Sequence, residues 1–245
     1  MALEGKILAV EALSDGQRDA MFALMDRYYD HMTRAQFEAD LEEKQWVIYV
    51  ADGDTDALRG FSTQTLLEVP GEAGPVRALY SGDTIMDQHA RTSTALTRWW
   101  GRLALSLIDQ YGDGPLYWFL ISKGYKTYRF LPVFFGEYYP RYDRPTPPWA
   151  RRAIDALGAH KFPEQYDPGA GIVRATSGGC RLREGVARIT DRRLKDPHVR
   201  YFVEANPGHE QGDELCCLAP LSRENFLPAA YRAIGDPEGQ EIGSR

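Results

Sequence analysis

Cysteine is scarce in this chain: three occur in 245 residues, Cys180 and the adjacent pair Cys216 and Cys217. That is too few for the disulfide framework of a small secreted domain and suits a reducing compartment. There is no CxxC pair and no HExxH, so no zinc or other metal centre is expected. No apolar run approaches the ~18–20 residues that cross a bilayer, which excludes a membrane span. The first residues, MALEGKILAVEALSDG, place one Lys and two Glu around a very short apolar stretch and read as a first strand rather than a secretion signal. These absences together point to a cytoplasmic protein. What is present is enough apolar material for a full core, 43% of residues with 12% aromatic, which excludes a disordered chain.

The net charge of −6 argues against general nucleic-acid binding, but the charge is unevenly spread. Residues 1–60 carry 6 Lys or Arg against 13 Asp or Glu, whereas 121–152 carry 7 against 2 and 181–200 carry 7 against 3. An acidic protein with two basic stretches can hold one anionic ligand, such as a phosphate-bearing cosubstrate, in a local pocket. The alternative is that these are solvated helix faces.

Patterning divides the chain into a regular part and a less regular one. Lys6–Leu13 reads as a strand ending at Ser14-Asp15-Gly16, a turn and helix start. Met21, Leu24, Met25, Tyr28 and Met32 then fall at helical spacing, and Thr33 can cap a second helix through Phe37 and Leu41. Trp46–Ala51 is a buried strand, residues 52–56 a hairpin turn, Leu58–Val69 a long returning strand and Val76–Met86 its neighbour. Arg91–Tyr111 reads as a helix with Leu96, Trp99, Trp100, Leu103 and Leu107 facing inward. Leu116–Ile121 is continuously apolar, as in strands buried on both faces. Ser122–Phe135 and Trp149–Leu157 read as helices, and short strands are expected at Ile172–Ala175, Val199–Ala205 and Leu215–Leu218. The three-strand meander requires antiparallel pairing, while the strand–helix–strand unit over 76–121 requires a parallel neighbour. The expected fold class is therefore α+β, a mixed and mostly antiparallel central sheet flanked by helices. Residues 1–143 form its core, and 144–245 form an irregular C-terminal extension that completes the sheet or covers one side of the cleft.

This order, over about residues 5–140, resembles the GNAT superfamily of N-acyltransferases. In that fold the fourth and fifth strands splay apart around the pantetheine arm of an acyl thioester. The carrier's pyrophosphate lies at the N-terminus of the helix after the fourth strand, where free N–H groups and the dipole favour an anion. The matching segment here, Ile85 to Ala95, lacks the glycine-rich loop of most members. It offers Met86, Gln88, Arg91, Thr92, Ser93 and Thr94 instead, an arginine and hydroxyls that can bind phosphate through side chains. The resemblance implies acyl-CoA or coenzyme A as cosubstrate, with an acyl-carrier-protein thioester as the alternative donor. It also implies a small-molecule amine as acceptor.

In the stretch after the LYWFLI strand, the resemblance places Ser122 against the cofactor arm and makes Tyr128 the acid that protonates the leaving thiolate, with Tyr125 as its rival. Lys123, Lys126 and Arg129 add positive charge beside the proposed phosphate site. A base must take a proton from the amine. Asp83 points toward the cleft by fold analogy, and Asp87, His89 and Glu68 are the other candidates. His209 with Cys216 and Cys217 permits a thiol-nucleophile reading, although LCCLAPL looks like a buried strand. The aromatic-rich region of Tyr117, Trp118, Phe119, Phe130, Phe134 and Phe135 suggests an acyl chain longer than acetyl. A non-catalytic GNAT-like binding module is the alternative function, and the missing glycines speak for it.

Overall fold

A computed structural model of the chain describes residues 3–71, 74–90, 93–111, 114–176, 181–183 and 189–235. The elements follow the expected order through the first half. β1 (Leu3–Ala9) leads to α1 (Asp15–Tyr28), a two-residue β2 (Tyr29–Asp30) and α2 (Arg34–Glu42). Then come β3 (Trp46–Asp52), β4 (Leu58–Val69) and β5 (Val76–Met86). After α3 (Ala95–Tyr111) and β6 (Leu116–Ser122), two short helices follow, α4 (Tyr125–Tyr128) and α5 (Phe130–Phe134). Both early helices start where a capping box satisfies the free N–H groups: Ser14 with Gln17, and Thr33 with Gln36.

The second half adds α6 (Pro148–Lys161), β7 (Tyr166–Asp167), β8 (Ile172–Val173) and β9 (Arg181–Leu182), then α7 (Pro197–Ala205), β10 (Glu214–Pro220) and α8 (Pro228–Ile234). Among the described residues, eight strands form one sheet in the order β1-β3-β4-β5-β6-β10-β8-β7, while β2 and β9 pair separately. The pair β5–β6 is parallel, as a strand–helix–strand crossover requires, and the other ladders are antiparallel. Strands beyond residue 143 thus extend the same sheet next to β6.

Three local expectations are corrected. Val199–Ala205 is helical, because Asp196 caps the chain, Pro197 occupies the first turn, and Val199 and Phe202 then bury one face at helical spacing. The helix expected over 122–135 breaks into α4 and α5 at Arg129. The helix expected from Arg91 begins at Ala95 among the described residues, where Ser93 Oγ accepts the Ala95 N–H at 3.1 Å.

The helices cover both sides of the sheet. One core joins α3, α4, α7 and α8 through Leu79, Trp118 and Leu120. Another packs α6 on Ala78, Tyr80, Phe119 and Leu218, and a third packs α1 and α2 on Val47, Tyr49 and Phe61. Between the layers, α3 meets α8 across Gly101, where a Cβ would come within 2.2 Å of Ile234.

Candidate active site

The parallel ladder of β5 and β6 runs from Arg77↔Leu116 to Ser81↔Leu120 and no further. β5 continues to Met86, paired only with β4, and β6 continues to Ser122, paired only with β10. The two strand ends therefore part, and a cavity of about 410 Å³ opens between them. At its root a buried polar network ties both strands down. The indole N–H groups of Trp100 and Trp118 donate to Ser81 Oγ at 3.2 and 2.9 Å, and Ser81 donates to Gln64 Oε1 at 2.7 Å. Gln64 in turn donates to Ser62, beside the register shift between β4 and β5. A buried indole N–H needs such an acceptor, so this serine sets where the strands separate.

Asp83 lies two residues past the branch point and lines the cavity. Its carboxyl makes no hydrogen bond or ion pair among the described residues. Burial, reinforced by the negative charge of Asp40 and opposed by Lys123 and Lys44, pushes it up to about 6. A half-buried, unpartnered carboxyl poised near neutral pH is suited to taking and returning a proton.

Met86 also lines the cavity, but the other expected site residues are spread more widely. Ser122 is fully buried, and its hydroxyl donates to the Gly124 carbonyl at 2.8 Å. Tyr128 does not reach the cavity: it is fully buried under α7, T-shaped to Tyr138, and its phenol donates to the Pro140 carbonyl at 2.9 Å. Burial raises its pKa further, which makes proton donation harder. Tyr125 is likewise buried. The Gln88 N–H donates to the Tyr28 phenol at 2.8 Å, which holds the turn after β5 against α1. Ser93 is committed to the Ala95 N–H, Thr94 is exposed with its carbonyl accepting from Arg98, and Arg91 and Thr92 lie outside the described residues.

The alternative bases are engaged in structural roles. Asp87 is buried, pairs with Arg27 at 2.9 Å and accepts the His89 N–H; His89 is exposed; Glu68 pairs with Arg77 at the far end of β4. Arg129 pairs with Asp196, away from the cavity. The thiol reading fails on geometry: Cys216 and Cys217 are buried in β10, burial raises both thiols, and no hydrogen bond joins either to a histidine among the described residues. Among the described residues, no three His, Cys, Asp or Glu side chains converge to hold a metal, and no helix is long and apolar enough to cross a membrane.

Several cavity residues are absent from the sequence-based list. Lys44 enters from the end of α2, Lys161 and Phe162 from the end of α6, and Glu214 from β10. Lys123 and Lys126 line the other wall, Lys123 paired with Glu214 at 3.2 Å. No local signal marks Lys44, Lys161, Phe162 or Glu214, since each arrives through long-range packing, whereas Lys123 and Lys126 belong to the basic stretch after β6. Past Thr84, Leu120 and Phe130, which line both spaces, a pocket of about 50 Å³ extends to Trp100, Trp118 and Phe134.

The residues present fit a thioester carrier in part. Beyond Ser81 and Leu120 the facing edges of β5 and β6 no longer pair with each other, so amides of an extended arm can add to those edges, and Lys126 supplies charge for phosphate. Without glycines between Ile85 and Ala95, contacts there must come from side chains.

No family model matches the chain, and no curated protein matches it in sequence. Structural comparison pairs parts of the chain with solved structures at TM-scores below 0.4. A probable N-acyltransferase from Enterococcus faecalis is 16% identical over 53% of this chain and 31% of its own, with a TM-score of 0.38. A GNAT family N-acetyltransferase from Escherichia coli, solved with CoA, is 13% identical over 50% of this chain and 65% of its own, at 0.36. A GCN5-related N-acetyltransferase from Brucella melitensis is 14% identical over 57% of this chain and 68% of its own, at 0.39. The chain thus spans less than two thirds of the first two. Its own strand order, crossover and splay define the fold as a mixed α+β sheet opened between its parallel strands.

Proposed function

We propose that the chain is an N-acyltransferase that moves an acyl group from a thioester, acyl-CoA or an acyl-carrier protein, to the amine of a small molecule. The observation that carries this reading is the unpartnered carboxyl of Asp83 inside the splay between β5 and β6. The amine nitrogen attacks the thioester carbonyl carbon, forming the C–N bond, and Asp83 takes the proton the nitrogen sheds. As the C–S bond breaks, the same carboxyl returns that proton to the departing sulfur, so the transfer balances without Tyr128. The pocket toward Trp100 and Phe134 suits the end of an acyl chain longer than acetyl. Free thioesters and two adjacent reduced thiols suit the cytoplasm.

The test is a pair of measurements on the purified chain. Coenzyme A, acetyl-CoA and octanoyl-CoA are compared for their effect on the melting temperature; a ligand at about 100 times its Kd adds roughly 2.7 kcal/mol. Release of free thiol is then followed with a panel of amines. Amine-dependent release supports transfer. A melting shift without release supports the second reading, a binding module, which the missing glycines favour. No shift with any of the three removes free CoA as the carrier and leaves carrier-protein thioesters to be assayed.

A further inference from the structure

We infer that the acceptor is a zwitterion of the amino-acid type, a primary amine that also carries a carboxylate; this rests on the acyltransferase reading above. Two charges of opposite sign face the cavity without pairing. Asp83 has no partner, and Lys44 makes a single hydrogen bond, to the main-chain carbonyl of Asp40 at 2.6 Å, with no ion-pair partner among the described residues. They do not pair with each other, although each feels the other's charge. A lysine that is only 8% exposed, its ammonium bonded to a neutral oxygen, has strong reason to attract an anion.

A second cation reinforces it. The ammonium groups of Lys44 and Lys161 stand 5.9 and 5.8 Å from the centroid of the same ring, Tyr80, and Lys161 is also 5.7 Å from Phe162. Burial and the charge of Lys161 both make Lys44 easier to deprotonate, a repulsion that a carboxylate between them would relieve. Glu43, which pairs with Lys161, is itself mostly exposed, where such pairs contribute little. Of the remaining acids on the wall, Glu214 is engaged with Lys123, and Asp40 adds negative charge around Asp83 that favours an ammonium.

The sequence makes room for this arrangement at Gly82, next to Asp83. A Cβ there would approach Lys44 Cε to 2.8 Å and Thr63 Oγ1 to 2.6 Å, so a larger residue would have to displace the lysine end or the threonine hydroxyl from their present places. One ligand carrying both charges would satisfy Asp83 with its amine and Lys44 with its carboxylate, which also orients the amine toward the base.

The experiment compares matched acceptors with octanoyl-CoA and acetyl-CoA as donors, following thiol release: L-phenylalanine against phenethylamine, L-leucine against isoamylamine, and L-lysine against cadaverine. The expected result is a kcat/KM at least tenfold higher for an amino acid than for its decarboxylated partner in at least one pair. That ratio should fall at least tenfold in Lys44→Met and be largely kept in Lys44→Arg. Equal or better use of the simple amines overturns the inference while leaving the acyltransferase reading standing. Thioester binding without release to any acceptor overturns the inference and favours the binding module. Absence of thioester binding together with absence of release removes free CoA thioesters as donors; the same acceptor pairs are then run with an acyl-carrier-protein thioester, and no release there overturns both. If Lys44→Met does not fold, the wild-type ratios alone decide.

Discussion

Ser81 of β5 and Leu120 of β6 form the last pair of the ladder between those two strands, and the cleft opens from their position. The serine hydroxyl, itself buried, is held by two indoles and Gln64. Ser81→Ala would leave both indole N–H groups without an acceptor, at a cost of about 2–3 kcal/mol. Urea denaturation should show a lower midpoint with an unchanged slope. An unchanged midpoint would mean that the network does not hold the branch point.

Asp83→Asn removes the proposed base and is expected to lower kcat by about 10²- to 10⁴-fold. It should also stabilise the fold at high pH. The folded carboxyl titrates near 6, above its ordinary 3.8, so its stabilising effect is complete below pH 3.8 and lost as pH rises through 6. The wild type at pH 8 therefore carries an unfavourable charge that asparagine lacks, worth about 1–3 kcal/mol. Melting curves should separate the two proteins at pH 8 and bring them together near pH 4. A variant that melts lower at pH 8 would show that the ionised carboxyl is stabilised instead.

The same titration predicts the pH–rate profile. Below pH 6 Asp83 is protonated and cannot act as base, so kcat/KM should climb with pH up to about 6. A further rise at higher pH belongs to the acceptor's own ammonium. A wild-type profile without the limb near 6 would exclude Asp83 from proton transfer.

Tyr128→Phe tests the acid that the family resemblance suggests. The phenol serves the Pro140 carbonyl, so its loss should cost about 1 kcal/mol of stability. The kcat of the folded protein should change less than threefold. A hundredfold fall in kcat with an intact fold would return Tyr128 to the chemistry.

Thr127 faces both the main cavity and the small apolar pocket behind it. Thr127→Trp should fill that pocket and cut turnover of octanoyl-CoA at least tenfold relative to acetyl-CoA. An unchanged chain-length preference would place the acyl chain elsewhere.

Much of the scaffold was legible because its signals are local. Ser14 with Gln17 and Thr33 with Gln36 satisfy helix starts within four residues of chain, and the hairpin strands end at polar and glycine-rich turns. Asp83 is singled out by the family resemblance, which turns this part of the strand toward the cleft, and not by any local signal around it. The helix at Pro197–Ala205 was also written locally, in Asp196 and Pro197, but its β-branched and aromatic residues suggest a strand until the cap is weighed.

The placement of Tyr128 shows where local reading ends. Spacing puts Tyr125 and Tyr128 on one side of a helical turn, but it cannot say whether that side meets the cleft or the core. Packing of α4 against Phe202 of α7 decides for the core. The unpaired charges of the cleft were beyond local reading for the same reason. Lys44, Lys161 and Glu214 belong to three elements far apart in the chain, and only the closed sheet brings them around Asp83. Sequence alone determined the elements, the mixed sheet and the chemistry available to it, since these depend on short-range periodicity and caps. Tertiary structure decided which of those groups lose water and which lose their partners, because desolvation and pairing are set by long-range packing.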